Sequence, residues 1–379
     1  MPMTIRVVSI ISRMNVGGPA VLLSELIKNL PAEEFHHTLI TGTCQSNEIN
    51  YLDSHPLDSE VIYIDEIKRS VLPIADVKSF FKLMKTLKSL KPDIVHTHTS
   101  KAGVLGRLAA RIATPQAKVI HTYHGHLLYG YFPRWKTNLI VLLEKMLGRF
   151  TNSFIGVTNQ VKEDLLKAGI GPESKWTVIR PGVTPGTEVG KLEARSALGI
   201  SSDKFVIAWI GRFTDIKNPM LAIKALEELR TDSETLLVMA GAGELWEDCK
   251  NYAESKQLPI KFLGWVSEVN TLLSAADLLL MSSKNEGMPV VIVEAALKGV
   301  PTAATNVGGI SEFISDLDTG LLLDPDIASM TKKLADVIKN PNMLTQLSRG
   351  SNDLALDKYS VKQMVHEHKN LYKKLLSTR

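Results

Sequence analysis

The sequence of 379 residues has only two cysteines, Cys44 and Cys249, far apart and in unlike surroundings. This scarcity argues against a disulfide-stabilised scaffold and is typical of proteins from a reducing cytoplasm. Long apolar runs are missing as well, since the longest, such as 278–281 and 289–293, fall well short of the roughly 20 residues that cross a bilayer. We therefore expect no membrane-spanning helix, and residues 1–15 predict a first β-strand and no signal peptide.

Several motifs of nucleotide and metal sites are also absent. The G-x-G-x-x-G pattern, with an acidic residue about 20 positions further on, does not occur, which makes a dehydrogenase the least favoured enzyme class. No Walker Gly-Lys-Ser/Thr sequence is present. The D-x-D pattern that commonly binds a divalent cation occurs only at 316–318 and 324–326, late in the chain, and the second predicts a turn.

The chain has no strong net charge of either sign, because its 44 Lys and Arg residues nearly balance its 40 Asp and Glu residues, which leaves a formal net charge of +4. Residues 1–190 hold 22 basic and 16 acidic residues, a net of +6, whereas residues 191–379 hold 22 and 24, a net of −2. The basic excess of the first half is too mild and dispersed to predict nucleic-acid binding. It suits an anionic substrate or an anionic lipid surface.

Short apolar runs rich in Val and Ile recur along the whole chain, separated by helical patterns. They are continuous rather than alternating, which is typical of parallel strands covered on both faces. The predicted strands are 5–12, 38–41, 61–64, 94–97, 119–122, 153–157, 176–179, 205–210, 235–240, 260–262, 278–281, 302–304 and 320–323. Each half opens with strand, glycine-containing loop and helix, the first unit of a doubly wound α/β domain.

The predicted fold class is therefore α/β, with two Rossmann-like domains. Two prolines and three glycines follow a strand in 180–190, which is typical of a linker. We place the N-terminal domain at 1–182 and the C-terminal domain at 183–360. A basic amphipathic helix in 361–379 is predicted to pack back on the first domain.

Two loops that follow the first strand of each half are candidates for phosphate binding. Gly17 and Gly18 precede a helix whose N-terminus could accept a phosphate, although a tight turn without ligand would look the same. Arg212 and Lys217 flank one loop above a parallel strand and could both point at a diphosphate. The alternative for this pair of cations is a surface salt bridge.

The segment 285–295 holds two carboxylates, Glu286 and Glu294, with seven residues between them. A helix that starts near Pro289 would expose free backbone N–H groups in the loop before it. Glu294 is embedded among Val, Ile and Ala, and a buried carboxylate must find donors, which ribose hydroxyls could supply.

This segment resembles the E-x7-E signature of the retaining glycosyltransferases of family four, in the GT-B superfamily. Further stretches fit the same family in the expected order along nearly the whole chain: 17–18, 91–98, 211–212, 217–218 and 301–309. The resemblance implies a GT-B fold, in which two Rossmann-like domains face each other across a cleft that binds a nucleotide-diphosphate sugar. The N-terminal domain would bind the acceptor and the C-terminal domain the donor.

The resemblance also implies roles for individual residues. Arg212 and Lys217 match the pair on the donor diphosphate, and Gly17 and Gly18 match the N-terminal phosphate loop. Glu294 matches the carboxylate on the ribose. The backbone of Val266 matches the position that reads the base. The donor sugar's hydroxyls would be held by Glu286 and by the backbone of Gly287, Met288 and Pro289.

Five histidines lie in two groups near predicted strand ends: His96, His98, His121, His124 and His126. Metal binding by these residues is a minor alternative. His96, His98 and His121 are interpreted as hydrogen-bonded histidines of a core or cleft. His124 resembles the family's acceptor-side histidine, which would orient the acceptor or the leaving phosphate.

The resemblance thus implies a retaining, metal-independent hexosyl- or N-acetylhexosaminyltransferase that needs no cofactor, with catalytic roles for His124, Arg212, Lys217 and Glu286. A UDP-sugar is the favoured donor. The acceptor would be a saccharide or a polyprenyl-linked glycan of the bacterial surface, met in the cytoplasm or at the inner face of the membrane. Two alternatives stay open: a non-hydrolysing UDP-N-acetylglucosamine 2-epimerase, and a non-catalytic sugar-nucleotide-binding protein.

Two segments of the basic half could contact an anionic leaflet. Four lysines form one stripe on the predicted helix 76–90, opposite Phe80, Leu83 and Leu87. Residues 132–136 mix aromatic and basic side chains before an apolar helix at 137–150. An ordinary solvated lysine face explains the stripe equally well.

Overall fold

The computed structural model describes residues 4–45, 48–68, 72–126, 128–129, 131–229, 234–266 and 269–377. The chain divides into two compact units. Unit 1 comprises residues 1–183 and 360–379, and unit 2 comprises residues 184–359. The predicted boundaries, after residues 182 and 360, differ from these by one residue.

Unit 1 is built on a wholly parallel sheet with the order β3-β2-β1-β4-β5-β6-β7. Its strands are β1 (Ile5–Ile11), β2 (Phe35–Thr41), β3 (Glu60–Tyr63), β4 (Ile94–His98), β5 (Lys118–Tyr123), β6 (Ser153–Gly156) and β7 (Trp176–Val178). Val8 of β1 pairs with Thr38 on one side and with Val95 on the other, so the strand order reverses at β1.

Helices connect these strands and cover both faces of the sheet. They are α1 (Gly18–Asn29), α2 (Tyr51–Ser54), α3 (Pro73–Leu90), α4 (Ser100–Ala113), α5 (Arg134–Gly148) and α6 (Asn159–Lys167). Because crossovers between parallel strands are right-handed, α3 to α6 lie on one face and α1 and α2 on the other. Leu83 and Leu87 of α3 are fully buried against α4 and the sheet, as the predicted apolar stripe requires.

The C-terminal helix (Val361–Ser377) belongs to unit 1 and packs against α1. The ammonium group of Lys369 lies 2.5 Å from the Glu34 carboxylate, and Lys373 binds the same carboxylate. The Tyr372 hydroxyl lies 2.7 Å from His96 Nδ1 inside the sheet's core. The C-terminal helix is therefore held by ion pairs on its exposed side and by a hydrogen bond on its buried side.

Unit 2 has a second parallel sheet with the order β10-β9-β8-β11-β12-β13. Its strands are β8 (Phe205–Ile210), β9 (Thr235–Ala240), β10 (Ile260–Gly264), β11 (Leu278–Met281), β12 (Thr302–Thr305) and β13 (Leu321–Leu323). Its helices are α7 (Lys191–Ala197), α8 (Pro219–Glu228), α9 (Trp246–Ser255), α10 (Val269–Ala275), α11 (Val290–Leu297), α12 (Ile327–Ile338) and α13 (Pro341–Lys358). The order reverses at β8, which lies between β9 and β11.

The fold prediction is confirmed, because both units are doubly wound parallel α/β structures and each predicted strand is present within the described residues. None of the helices in those residues is long and apolar enough to cross a membrane. Within the segment 324–326, for which a turn is predicted, Asp326 caps α12 by accepting a hydrogen bond of 2.9 Å from the Ser329 N–H.

Candidate active site

The loops that follow β8 and β11 lie side by side where the strand order of unit 2 reverses. In open α/β sheets, ligands bind outside the carboxyl ends of the strands at this point. The loop after β8 carries Arg212 and Lys217, and the loop after β11 carries Glu286. The topology therefore places these three predicted residues at one edge of the sheet.

Lys217 and Glu286 form an ion pair, with Nζ 2.5 Å from Oε1. The Ser283 hydroxyl donates a second hydrogen bond of 2.6 Å to the same oxygen. Only 9% of the Glu286 side chain is exposed, and a carboxylate so little exposed needs hydrogen-bond donors. The sequence left a salt bridge open for Lys217, and its partner proves to be another residue of the predicted donor set.

A buried serine fixes the backbone under Lys217. Ser282 Oγ lies 3.2 Å and 2.8 Å from the carbonyl oxygens of Lys217 and Asn218, and it accepts a hydrogen bond from the Trp209 indole N–H. Asn218 has the left-handed conformation, with φ of 48°, and Pro219 begins α8 directly after it. The position of Lys217 is thus set by the end of β11 and not by its own loop alone.

The backbone of Glu286 is fixed from the other side by Gly308 and Gly309. Gly308 has φ of +55°, and a Cβ atom there would collide with the Glu286 carbonyl oxygen. The Gly309 N–H donates to that same oxygen at 3.3 Å. Glycine is therefore required at 308 both by its conformation and by the close approach of the two loops.

Helix α11 starts at Val290 with Pro289 as its N-cap, as predicted. Gly287 and Met288 before it are buried, yet within the described residues their backbone N–H groups form no hydrogen bond. Glu294 follows one turn inside the helix and is half-buried. This loop and helix therefore offer donors for an anion or a hydroxyl-rich ligand, with a carboxylate nearby in the sequence.

The remaining predicted donor residues lie after strands of unit 2 and at the start of a helix of unit 1. Arg212 follows β8 and Val266 follows β10, and both are half-buried. In unit 1, Gly17 is the N-cap of α1, with φ of 159° and ψ of 164°. Within the described residues neither Gly17 nor Gly18 donates its backbone N–H to a protein acceptor, which leaves both groups available to a ligand.

Histidines fill the carboxyl ends of β4 and β5 in unit 1. His96 lies 2.7 Å from both the Tyr372 and the Thr122 hydroxyls, and His121 Nδ1 lies 2.8 Å from the Thr97 hydroxyl. These two residues are hydrogen-bonded core histidines, as interpreted from the sequence. No group of three or more His, Cys, Asp or Glu side chains in the described part of the chain is placed to hold a metal ion.

His98 and His124 form a neutral pair, with His98 Nδ1 3.1 Å from His124 Nε2. Burial lowers the pKa of His124 to about 4. It also lowers the pKa of His98 well below its ordinary value, and the neighbouring His96 and His124 add to this effect. Because both rings are neutral, one N–H donates to the other ring's nitrogen.

The outer nitrogens of this pair, His98 Nε2 and His124 Nδ1, are buried and have no hydrogen-bond partner among the described residues. Both rings line a small pocket in unit 1. Its walls are mainly apolar, from α1, the ends of β6 and β7 and the C-terminal helix, and Arg180 is also part of the lining. A buried neutral imidazole facing a cavity can accept or donate one hydrogen bond to a hydroxyl.

Sequence reasoning missed three features of these sites. Ser282 and Ser283 sit next to the recognised motif, but serine at a strand end is too common to predict a support role. The pairing of His98 with His124 depends on the neighbouring register of β4 and β5, in which His98 lies opposite Thr122. Such contacts follow from strand order, which the sequence pattern does not specify.

Two family sequence patterns match the chain. Residues 16–186 match Glycosyltransferase Family 4, and residues 190–353 match Glycosyl transferases group 1. An Escherichia coli protein named UDP-Gal:alpha-D-GlcNAc-diphosphoundecaprenol alpha-1,3-galactosyltransferase is 32% identical, over 90% of each chain. The Staphylococcus aureus capsular polysaccharide biosynthesis glycosyltransferase CapM is 23% identical, over 84% of this chain and 86% of its own.

Solved structures show the same fold. The Anabaena protein Alr3699/HepE in complex with UDP and glucose superposes with a TM-score of 0.82, 19% identity and coverage of 98% of this chain and 100% of its own. WaaG, a glycosyltransferase involved in lipopolysaccharide biosynthesis, has a TM-score of 0.77, 16% identity and coverage of 97% and 99%. The fold is GT-B, and the chain belongs to the family 4, group 1 glycosyltransferases.

Proposed function

We propose that this glycosyltransferase moves a hexosyl or N-acetylhexosaminyl group from a UDP-sugar to a saccharide or polyprenyl-linked acceptor, with retention of the anomeric configuration and without a metal or other cofactor. The observation that carries the proposal is the Lys217–Glu286 ion pair at the point where the strand order of unit 2 reverses. There a cation for the diphosphate and a carboxylate for the sugar hydroxyls are held together.

In the proposed donor site, Lys217 and Arg212 bind the diphosphate. Glu286, with the backbone of Gly287, Met288 and Pro289, binds the sugar. Glu294 binds the ribose and the backbone of Val266 binds the base. Gly17 and Gly18 have available N–H groups that suit a phosphate.

The transfer breaks the bond between the sugar's anomeric carbon and the diphosphate oxygen, and forms a bond from that carbon to an acceptor hydroxyl oxygen on the same face. The acceptor's proton passes to the leaving phosphate oxygen. Negative charge grows on the leaving diphosphate, and Lys217, Arg212 and the free N–H donors of the α11 loop stabilise it. Glu286 acts as a binder of the sugar in this scheme.

His124 is the proposed acceptor-side residue. Its ring is neutral at physiological pH, so it would orient an acceptor hydroxyl or the leaving phosphate by a hydrogen bond rather than by charge. The named substrate of the Escherichia coli relative is a diphosphoundecaprenol glycan, which supports a lipid-linked acceptor. We place the reaction in bacterial surface polysaccharide biosynthesis, in the cytoplasm or at the inner face of the membrane.

The donor is tested by thermal shift with UDP-, GDP- and ADP-sugars, since a ligand that binds only the native state raises its melting temperature. We expect UDP-sugars to stabilise the protein and Glu294→Ala to weaken UDP affinity about tenfold or more, because hydrogen bonds to a charged group are lost. Glu247→Ala, on the exposed side of α9, is the matched control. Normal UDP affinity in Glu294→Ala would refute the ribose assignment.

Retention and metal independence need separate measurements. The anomeric proton coupling of the product reports its configuration, and inversion would overturn the proposed mechanism. Activity should persist after exhaustive chelation, and its loss with recovery on adding a divalent cation would contradict metal independence. Incubation of UDP-N-acetylglucosamine without acceptor tests the epimerase alternative, which predicts the 2-epimer as product.

A further inference from the structure

Helix α5 presents an apolar stripe outward. Trp135, Leu139, Leu142 and Met146 are 70%, 59%, 56% and 54% exposed. Their spacings of four, three and four residues place all four side chains on one face of the helix. An exposed apolar stripe of this length marks a surface that contacts another protein, a membrane or a ligand.

A buried ion pair keeps this stripe outward. Glu144 lies on the opposite face of α5 and receives two hydrogen bonds from the Arg107 guanidinium, at 2.9 Å and 2.7 Å. The Tyr123 hydroxyl donates a third, at 2.6 Å. Rotating α5 to bury the stripe would withdraw Glu144 and leave Arg107 charged and unpaired in the interior, so the outward orientation is stable.

Exposed cations flank the stripe on both sides. Arg134 and Lys145 lie on one side, Lys136 lies on the other, and Arg149 follows the end of the helix. The Lys136 ammonium sits 4.2 Å from the centre of the Phe132 ring, next to the stripe's start. The one acidic residue of α5 is Glu144, which is buried and whose charge Arg107 balances, so the outer surface of the helix carries cations, apolar side chains and the neutral Asn138 but no carboxylate.

A second helix on the same face of the sheet, α3, repeats this character. α4 contacts both α3 and α5, and α3 exposes Ile74, Val77 and Phe81 at 77%, 56% and 62%. Lys78 and Lys85 lie exposed along the same helix. Part of the predicted lysine stripe is therefore interleaved with exposed apolar side chains, unlike an ordinary solvated lysine face.

We propose that the outer face of α5, supported by α3, docks on an anionic lipid leaflet, with Trp135, Leu139, Leu142 and Met146 inserted at the headgroup boundary. Tryptophan with flanking Lys and Arg is the composition that such boundaries favour. A symmetric contact between two copies would bring four cations against the same four cations, which opposes dimerisation through this face. The inference concerns where a lipid-linked acceptor is met, and to that extent it rests on the proposed function.

The test is flotation of the full chain with vesicles of phosphatidylcholine alone or with phosphatidylglycerol. We expect binding only to the anionic vesicles, weakened at high salt. Leu139→Gln/Leu142→Gln should lower vesicle affinity tenfold or more, because two apolar side chains no longer enter the boundary. Leu192→Gln/Leu356→Gln is the matched control, since these leucines of unit 2 are 70% and 57% exposed and lie outside the proposed face.

Charge and geometry give two further readouts. Lys136→Gln/Lys145→Gln should weaken anionic binding about 25-fold, at roughly fivefold for each cation. A blue shift of tryptophan emission on vesicle binding should disappear in Trp135→Phe. The proposal would be overturned if Leu139→Gln/Leu142→Gln and Leu192→Gln/Leu356→Gln bound anionic vesicles equally well. It would also be overturned if the wild type did not bind these vesicles. A dimer that only Leu139→Gln/Leu142→Gln disrupts would overturn it as well. The thermal shift caused by UDP-sugars is measured on the same proteins. Its absence would count against the proposed function and not against the membrane proposal.

Discussion

Lys217 Nζ and Glu286 Oε1 lie 2.5 Å apart although they belong to loops that follow different strands. Ser282 holds the backbone of the first residue, and Gly308 and Gly309 hold the backbone of the second. The ammonium group therefore occupies a fixed place before any ligand arrives. A preorganised cation stabilises developing charge without first having to reorient, which is the larger part of electrostatic catalysis.

Replacing Lys217 by Met should lower kcat/KM for transfer about 10²- to 10³-fold, the usual effect of removing one preorganised group from a transition state. UDP release from the donor sugar, measured with saturating acceptor, checks the value. Lys284→Met is the control, because Lys284 is 47% exposed and pairs with the still more exposed Asp215 beside the same loop. Wild-type activity in Lys217→Met would remove Lys217 from the donor site.

Gly308→Ala should distort the site without changing any charged group. Alanine is strained at φ of +55°, and its methyl group would displace the Glu286 carbonyl oxygen. We expect donor affinity to fall and the melting temperature to drop. Gly190→Ala is the matched control, since no atom lies within 4 Å of its Cβ position and its φ is −61°. An equal, small effect of both substitutions would show that the Glu286 backbone is not fixed by Gly308.

The strands themselves could be predicted well from the sequence, but their order in each sheet could not. Continuous apolar runs such as 278–281 leave few alternatives to a buried parallel strand, and β11 has those same ends. Roles for Glu286 and Lys217 in a donor site could be predicted from the resemblance of their motifs to family four. Their mutual contact could not, since it depends on β8 and β11 being neighbours although they are far apart in sequence.

The same limit applies to α5. Its apolar and basic composition was evident, but which of its residues face the core depends on the Glu144–Arg107 contact between two helices. A hydrophobic periodicity alone would place Leu139 and Leu142 inside, since apolar stripes usually face a core. The structure places them outside because a buried charge takes the inner position.

Acidification should destabilise unit 1 through its buried histidines. Burial lowers the pKa of His37 to about 3 and those of His124 and His368 to about 4, against about 6.5 in an unfolded chain. Between pH 6.5 and about 4 the unfolded chain binds protons that the folded chain does not, so the free energy of unfolding falls as pH falls. The slope reaches about 1.4 kcal/mol per pH unit for each such group.

Urea unfolding at several pH values between 7.5 and 5 measures this slope. His368→Gln should flatten it, because one buried imidazole no longer distinguishes the two states. His36→Gln, at an exposed position of β2, is the control and should leave the slope unchanged. Stability that is independent of pH across this range would mean that the buried rings take up protons in the folded protein.

The Arg107–Glu144 pair predicts the largest effect on stability. Arg107 is fully buried and the Glu144 side chain is only 7% exposed, so Glu144→Gln leaves a guanidinium charge without its counter-charge. We expect a loss of about 3–5 kcal/mol in the free energy of unfolding, measured by denaturant titration. Glu163→Gln should cost about 0.5 kcal/mol or less, because its pair with Lys167 is exposed on both sides.

The double variant Arg107→Met/Glu144→Met separates the two sources of this effect. Removing both charges leaves neither one unpaired, so most of the stability lost in Glu144→Gln should return. If the double variant were instead as unstable as the single one, packing around Tyr123 and Leu147 rather than the buried charge would hold α5 in place. The outward direction of its apolar stripe would then need a different explanation from the one that Glu144 supplies.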